Sequence, residues 1–270
     1  MTLSDPAERL STPTRVYSAP AAACAAAILL LLAREPELSL AAIARALDRS
    51  KTLVFRVVRE LEEYELIQRT DSGRLRLGIT ALEIGGAYAS RTEYAGTARE
   101  TLRKLADVTG ETANLGVLRG ADVMCLINQE GRNVIGTFWS AGDRLPAHCT
   151  ALGKALLAEL PSDRLREQLG PKLRNLTPNS ISTYKELEKE LALVRERGYA
   201  TARGEAIWGL NAIGMTVRLP GRHAELAAIS ISLSGDKFGG REAEFLEVLR
   251  EGRHRIERET SSLSTFEARS

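Results

Sequence analysis

The chain has 270 residues, of which 44% are hydrophobic and 27% are charged, and its formal net charge is +2. This length suggests two domains, each long enough to bury a core of its own. Because the charge is nearly balanced, it does not by itself indicate a nucleic-acid partner. The distribution of charge along the chain is more informative.

The three cysteines, Cys24, Cys125 and Cys149, form an odd and scattered set. Such a set argues against a disulfide framework and favours the reducing cytoplasm. Neither the cysteines nor the three histidines have the spacing of metal ligands. We therefore expect no metal site and no cofactor.

Residues 1–19 show little periodicity and predict a flexible arm. Pro20 suits the first turn of a helix, and the apolar run from Ala21 to Ala33 follows it. This run imitates a signal-peptide core, but it is too short to cross a bilayer, which needs roughly 20 residues. We interpret it as the buried first helix of a domain over residues 20–78, and we expect no membrane contact.

The pattern of residues 39–77 is typical of a winged helix-turn-helix. Helical spacing of apolar residues over 40–47 is interrupted by the polar residues 48–50 and resumes from Lys51 to Tyr64. At 100° per residue, one face of the second helix is apolar, and it carries Val54, Val57, Val58 and Leu61. The opposite face carries the candidate DNA contacts, namely Lys51, Thr52, Phe55, Arg56 and Arg59.

Ser50 is a candidate N-cap, so that the N–H groups at the helix start, with Lys51, would face a DNA phosphate. We expect Arg56 and Arg59 to contact bases or phosphates, Ser50 and Thr52 to contact phosphates, and Phe55 to contact a thymine methyl group.

Two short strands, 66–70 and 74–77, are predicted next, joined by the turn residues 71–73. Arg69, Arg74 and Arg76 give this hairpin positive charge. An alternative interpretation is a simple packed corner with solvated arginines. The order of the elements and the positions of the charges favour DNA binding.

Residues 79–110 contain two helical patterns, 79–90 and 94–109, and are predicted to connect the domains. In the second pattern, Leu102, Leu105 and Val108 are expected on one side of the helix.

The remaining residues, 111–270, predict an α+β domain with an antiparallel sheet. Strands are expected at 112–118, 122–129, 134–139, 199–202, 210–219 and 225–233, helices at 151–160, 163–169, 185–197 and 241–262, and a loop at 143–146.

Two short motifs resemble parts of enzyme sites. His148 and Cys149 are adjacent, and neighbouring side chains on a strand or turn point apart, so they do not form a nucleophile and base. Gly153 and Lys154 lack the upstream glycine of a phosphate-binding loop, and we expect Lys154 to be a surface residue. We predict no catalytic residue and no enzyme activity.

Several blocks resemble the IclR family of bacterial transcriptional regulators, over roughly residues 20–260. Leu40–Ala44 and Ser50–Arg56 resemble the family's winged domain, and Arg144–Ala158 resembles its effector-domain signature almost position by position. Residues 197–200, 205, 209 and 227–232 agree in order and spacing.

The resemblance implies a GAF-like effector domain, dimers that often pair into tetramers, and DNA binding controlled by a small, usually anionic metabolite. It also implies an effector pocket lined by Thr150, Ala151 and Leu152, by the segment from Ala202 to Ala212, and by Ser230 and Ser232. Independently, the start of the helix at Ala151 would offer N–H groups to a carboxylate.

The chain departs from the family pattern at two pocket positions. Ala202 stands where many members have an acidic residue, and Ala212 where many have cysteine or serine. Two polar contacts are therefore missing, and Phe138, Trp139, Trp208 and Met215 lie near the expected pocket in sequence. We expect a larger or more apolar acid, such as an aromatic one. Alternatively, these four residues belong to the core.

A dimer would place two reading helices about 34 Å apart in successive major grooves, which implies a palindromic operator in double-stranded DNA. Two alternatives remain open at this stage. One is a metabolite-binding enzyme that carries a DNA-binding domain, and the other is a regulator whose C-terminal domain only oligomerises.

Overall fold

The computed structural model describes residues 19–91, 94–133, 139–219, 226–235 and 239–267. The predicted flexible arm lies almost wholly outside these residues. Of the predicted strand at 134–139, only Trp139 is described, and it is not in a strand. The chain divides into two compact units between Arg91 and Thr92.

The first unit is a winged helix-turn-helix. Its elements are α1 (Pro20–Leu32), α2 (Leu40–Ala46), α3 (Lys51–Glu63), β1 (Ile67–Arg69), β2 (Leu75–Leu77) and α4 (Ile79–Arg91). Pro20 occupies the first turn of α1, as predicted. The two strands form an antiparallel hairpin in which Ile67 pairs with Leu77.

The core of this unit is formed where α1, α2, α3 and the hairpin meet. Its most buried members are Ile28, Ile43, Val54, Val58 and Leu75. They come from all four parts of the unit, so burying them fixes α3 against α1 and α2. In contrast, α4 leaves Ile79, Leu82, Ile84 and Tyr88 more than half exposed.

The second unit is an α+β domain. Its elements are α5 (Ala95–Thr109), β3 (Thr112–Arg119), β4 (Asp122–Gln129), β5 (Arg144–Pro146), α6 (Ala151–Ala158), α7 (Leu165–Leu169), α8 (Tyr184–Arg197), β6 (Ala200–Arg203), β7 (Leu210–Arg218), β8 (Leu226–Ser234) and α9 (Glu242–Glu267). The six strands form one sheet in the order β5-β4-β3-β8-β7-β6, and every pairing is antiparallel. The predicted fold class is confirmed.

The sheet has a helical layer on each face. Side chains from α5 and α9 form one core with Leu115, Ile213 and Ile229, and those from α6 and α8 form another with Val123 and Ala228. Successive residues of a strand point to opposite faces, so β3, β4 and β8 contribute to both cores. This alternation determines which strand residues line the cavity of this unit.

Two sequence predictions about this unit are wrong. Residues 144–146 were expected to be a loop, yet Val123 pairs with Leu145 and Asp122 with Pro146, which makes β5 an edge strand where proline is tolerated. Val108 was expected on one side of α5 with Leu102 and Leu105, but those two are buried and Val108 is 66% exposed. A spacing of three residues rotates by about −60° at each step, which carries Val108 off the buried face.

Candidate nucleic-acid interface and ligand cavity

The second helix of the helix-turn-helix is held by a short, well-defined turn. Ser50 caps α3, since the N–H of Leu53 donates to Ser50 Oγ at 3.3 Å. Before it, Asp48 adopts a φ of 48°, and the N–H of Arg49 donates to the carbonyl of Ala44 at 3.0 Å. The sharp turn at Asp48 and the Ser50 cap together fix where α3 begins.

The two faces of α3 divide as predicted. Val54, Val57, Val58 and Leu61 are buried, whereas Lys51, Thr52, Phe55, Arg56 and Arg59 are exposed. The exposed face thus presents three cations and one aromatic ring. At the helix start, the first N–H groups have no acceptor within the helix and can serve a phosphate.

Two of the three hairpin arginines, Arg69 and Arg74, differ in their surroundings. Arg69 Nε donates to Glu62 Oε1 at 3.0 Å, its Nη2 donates to Glu62 Oε2 at 3.3 Å, and its Nη1 donates to the carbonyl of Gly73 at 3.4 Å. The Arg74 guanidinium donates from Nη2 to the carbonyl of Glu37 at 3.2 Å. Arg69 is therefore partly neutralised by Glu62, and of these two cations Arg74 is better placed to meet a phosphate.

A cavity of about 40 Å³ lies in the second unit between α6, β6, β7 and β8. It is lined by Trp139, Leu145, Cys149, Thr150, Ala151, Leu152, Ala202, Ala206, Ile207, Leu210, Ala212, Ser230 and Ser232. Seven of the nine predicted pocket residues are thus brought together around one cavity. Of the other two, Phe138 lies outside the described residues, and Trp208 is 69% exposed and does not line the cavity.

Strand alternation explains which of the predicted side chains meet. Ala212, Ser230 and Ser232 face the cavity, whereas Met215 lies an odd number of residues from Ala212 and belongs to the core against α5 and α9. Trp208 follows no strand pattern because it lies in the turn between β6 and β7. There Gly204 and Gly209 adopt φ values of 65° and 76°.

Of the other lining residues, Ala206, Ile207 and Leu210 belong to the segment expected to line the pocket, and Trp139 was expected near it, whereas sequence reasoning missed Leu145 and Cys149. Leu145 and Cys149 stand within the signature block, so position in that block was the available signal. For Trp139 the signal was its aromatic character and its nearness in sequence.

The polar end of the cavity is formed by the start of α6 and the serines of β8. Thr150 Oγ1 caps α6 by accepting from the N–H of Gly153 at 2.9 Å. A Cβ at Gly153 would lie 2.1 Å from the carbonyl oxygen of Ala147, so the preceding turn can pack on α6 only because position 153 is glycine. Ser232 Oγ accepts from Asn114 Nδ2 at 3.2 Å. Helix N–H groups and hydroxyls suit a carboxylate.

The prediction that Lys154 lies on the surface is wrong. Lys154 is 1% exposed, and its Nζ donates to both carboxylate oxygens of Glu205 at 2.8 and 2.9 Å. Glu190 Oε1 lies 3.8 Å from the same Nζ and also accepts from Arg197 Nη2 at 2.8 Å. Burial raises the pKa of the Glu205 carboxyl, and the Lys154 ammonium opposes that rise. Lysine occurs in a buried helix only when charges of this kind pair with it.

His148 and Cys149 are both buried and do not form a catalytic pair with each other. His148 Nε2 contacts the carbonyl of Arg174 at 2.9 Å, and a neutral imidazole donates there. Burial lowers the pKa of His148 and raises that of Cys149 to about 11. Burial likewise raises the pKa of Cys125 to about 12, so neither thiol is activated as a nucleophile.

Two general findings apply to the described part of the chain. It contains no group of three or more His, Cys, Asp or Glu side chains placed to hold a metal ion. None of its helices combines the length and apolar character needed to span a bilayer.

Comparison with known proteins agrees with this geometry. Residues 86–258 match the family described as bacterial transcriptional regulator IclR C-terminal, and residues 25–84 match the family described as HVO_A0114. The chain is 35% identical over 211 residues to the HTH-type transcriptional regulator BhcR of Paracoccus denitrificans, an alignment that covers 77% of this chain and 74% of BhcR.

Solved structures of similar fold include an IclR transcriptional regulator from Alicyclobacillus acidocaldarius, with a TM-score of 0.78 and 28% identity over 89% of this chain and 98% of that chain. An IclR homologue from Microbacterium hydrocarbonoxydans, complexed with 4-hydroxybenzoate, has a TM-score of 0.70 and 22% identity over 87% and 98% of the two chains. A winged helix-turn-helix joined to this α+β domain defines a transcriptional regulator. The chain belongs to the IclR family of these regulators.

Proposed function

We propose that the protein binds a specific operator through α3 and the hairpin, and that a small carboxylic acid in the second unit controls this binding. The observation that carries the DNA-binding part is the exposed face of α3, where Lys51, Arg56 and Arg59 lie opposite four buried apolar residues. Phosphate contacts would position the helix, and base contacts from Arg56 or Arg59 would supply specificity.

The exposed apolar side chains of α4 support self-association. Ile79, Leu82, Ile84 and Tyr88 are all more than half exposed on one helix. Concentrations of exposed apolar surface of this kind mark protein–protein contacts. A homodimer, or a dimer of dimers, would read a palindromic site whose halves are about 34 Å apart, and it would act in the cytoplasm, where its DNA is.

The cavity supports an effector with a carboxylate and an apolar body. Thr150, Ser230 and Ser232 provide polar groups beside the start of α6, whereas Ala202 and Ala212, which follow Ser232 across the neighbouring strands, add apolar surface. A cavity that takes benzene measures about 150 Å³, well above the present 40 Å³. Binding an aromatic acid therefore requires a wall of the cavity to move. We infer that this movement is how the ligand shifts the protein between a state with high operator affinity and one with low affinity.

One other ligand site and two other functions are less well supported. A larger depression of about 300 Å³ lies beside the hairpin, but the cation that lines it, Arg69, already pairs with Glu62, and Glu65 adds a further negative charge, so the depression does not favour an anion. An enzyme would need an activated nucleophile or base, and the buried His148 and Cys149 provide neither. Turnover of a bound ligand would favour the enzyme, and failure of every ligand to alter operator affinity would favour a second unit that only oligomerises.

The DNA-binding proposal is tested by selecting an operator from random duplexes with the purified protein and then measuring affinity for it. Arg56→Ala should weaken specific binding by about 1–3 kcal/mol, which is roughly 5- to 150-fold. Arg34→Ala is the matched control, because it removes one exposed cation from the same unit but outside α3 and the hairpin. Unchanged operator affinity in Arg56→Ala would refute the assigned role.

The effector proposal is tested by calorimetry and thermal shift with pyruvate, benzoate and 4-hydroxybenzoate. The last is chosen because a protein of the same fold was crystallised with it. We expect the aromatic acids to bind and to change the affinity for the selected operator. Tight binding of pyruvate alone would overturn the preference for an aromatic acid.

A further inference from the structure

Trp139 has an unusual environment within the ligand cavity. Its side chain is 8% exposed and lines the cavity just before β5. Its indole N–H is buried and has no hydrogen-bond partner among the residues that the structure describes. Buried tryptophan N–H groups usually find an acceptor, so an orphaned one beside a cavity points to an acceptor that arrives with a ligand.

The other polar groups of the cavity already suffice for a carboxylate. The start of α6 offers N–H groups, and Thr150, Ser230 and Ser232 add hydroxyls. Of the remaining described lining side chains, only Cys149 carries a polar atom, and its Sγ already donates to the carbonyl of Arg174 at 3.8 Å. The indole N–H is therefore the donor left over for a second oxygen on the ligand.

We propose that Trp139 selects the effector, by donating its indole N–H to an acceptor oxygen that is not part of the carboxylate. The effector class is then a carboxylic acid with an apolar body and a second oxygen, such as a hydroxyl or a carbonyl. This inference rests on the proposed effector function of the same cavity. It adds the residue that distinguishes an oxygenated acid from its unsubstituted analogue.

The test compares benzoate with 2-, 3- and 4-hydroxybenzoate on three full-length proteins: wild type, Trp139→Phe and Trp208→Phe. Trp139→Phe keeps an aromatic ring but removes the donor. Trp208→Phe is the matched control, because Trp208 is exposed and does not line the cavity. Dissociation constants are measured by calorimetry.

We expect Trp139→Phe to weaken the best hydroxybenzoate by about 3- to 10-fold, the range of one neutral hydrogen bond, and to change benzoate affinity by less than about twofold. Trp208→Phe should change neither. An equal loss for both acids, or no loss for either, would overturn the role of Trp139 while leaving the effector pocket intact. If none of the four acids binds the wild type, the proposed aromatic effector itself is overturned, and this inference with it.

A second measurement does not depend on how well Trp139→Phe folds. The chain has two tryptophans, so Trp208→Phe leaves Trp139 as its only indole. In that protein, labelled with ¹⁵N-tryptophan, the single indole N–H resonance should move downfield with the hydroxybenzoate and not with benzoate. A resonance that responds identically to both acids would contradict the hydrogen bond.

Discussion

Replacing Lys154 with methionine tests the buried ion pair behind the ligand cavity. Lys154 is 1% exposed, and its Nζ lies 2.8 Å from Glu205 Oε1. Glu205 is itself only 8% exposed, so the variant leaves a buried carboxylate without its cation. Removing one partner of such a pair costs about 3–5 kcal/mol, whereas methionine preserves most of the packing volume.

The free energy of unfolding is measured in urea by tryptophan fluorescence. Both tryptophans, Trp139 and Trp208, are in the second unit, so the signal reports that unit. We expect the loss to be largest at neutral and higher pH. Burial raises the folded pKa of Glu205, so acidification protonates this carboxyl in the folded state first and relieves the cost of the buried charge.

The control is Lys154→Met combined with Glu205→Gln, which removes both charges and keeps an oxygen that can accept from the N–H of Arg203. Glu190 retains Arg197 in both variants. The double variant should recover at least half of the stability lost in the single one. A single-variant cost below about 1 kcal/mol, or a double variant that is equally unstable, would refute the reasoning.

Three further predictions concern charge and shape. Arg74→Ala should reduce the salt slope of operator binding by about 1, and Arg69→Ala by less because Glu62 already pairs with Arg69; equal slopes would contradict this distinction. Folding stability should fall as the pH drops below about 6.5, because burial lowers the pKa of His148 in the folded state and the unfolded chain therefore binds the proton first. In urea titrations at a series of pH values, His148→Gln should show a smaller fall. Ala212→Leu should abolish ligand binding in calorimetry by filling the cavity, whereas Ala192→Leu, on the exposed side of α8, should bind normally.

Local pattern was sufficient for the helix-turn-helix. In α3, helical periodicity separated the buried valines from Arg56 and Arg59, because an amphipathic helix on a small core has only one way to bury its apolar face. The same argument failed for Val108. A three-residue spacing looks helical in sequence but drifts off one face within two steps.

The cavity was only partly predictable because it depends on contacts distant in sequence. The family resemblance assigned Ser230 and Ser232 to the pocket, and strand alternation agrees because it puts both on one face; the same rule should have placed Met215 on the opposite face. Trp208 was misplaced because its position is set by a turn that ends in a glycine with positive φ. Lys154 reads as a surface residue until Glu205, 51 positions later, is known to approach it.

The burial of every cysteine has a practical consequence. Cys24, Cys125 and Cys149 are the chain's three cysteines, all are buried, and burial raises the pKa of each thiol. Thiol-directed reagents need an accessible thiolate, so the natural protein should take up little maleimide in its native state. A single Thr52→Cys substitution on the exposed face of α3 would then accept a spin label selectively. In a homodimer, the distance between the two labels would report how far apart the two α3 helices lie with and without an effector.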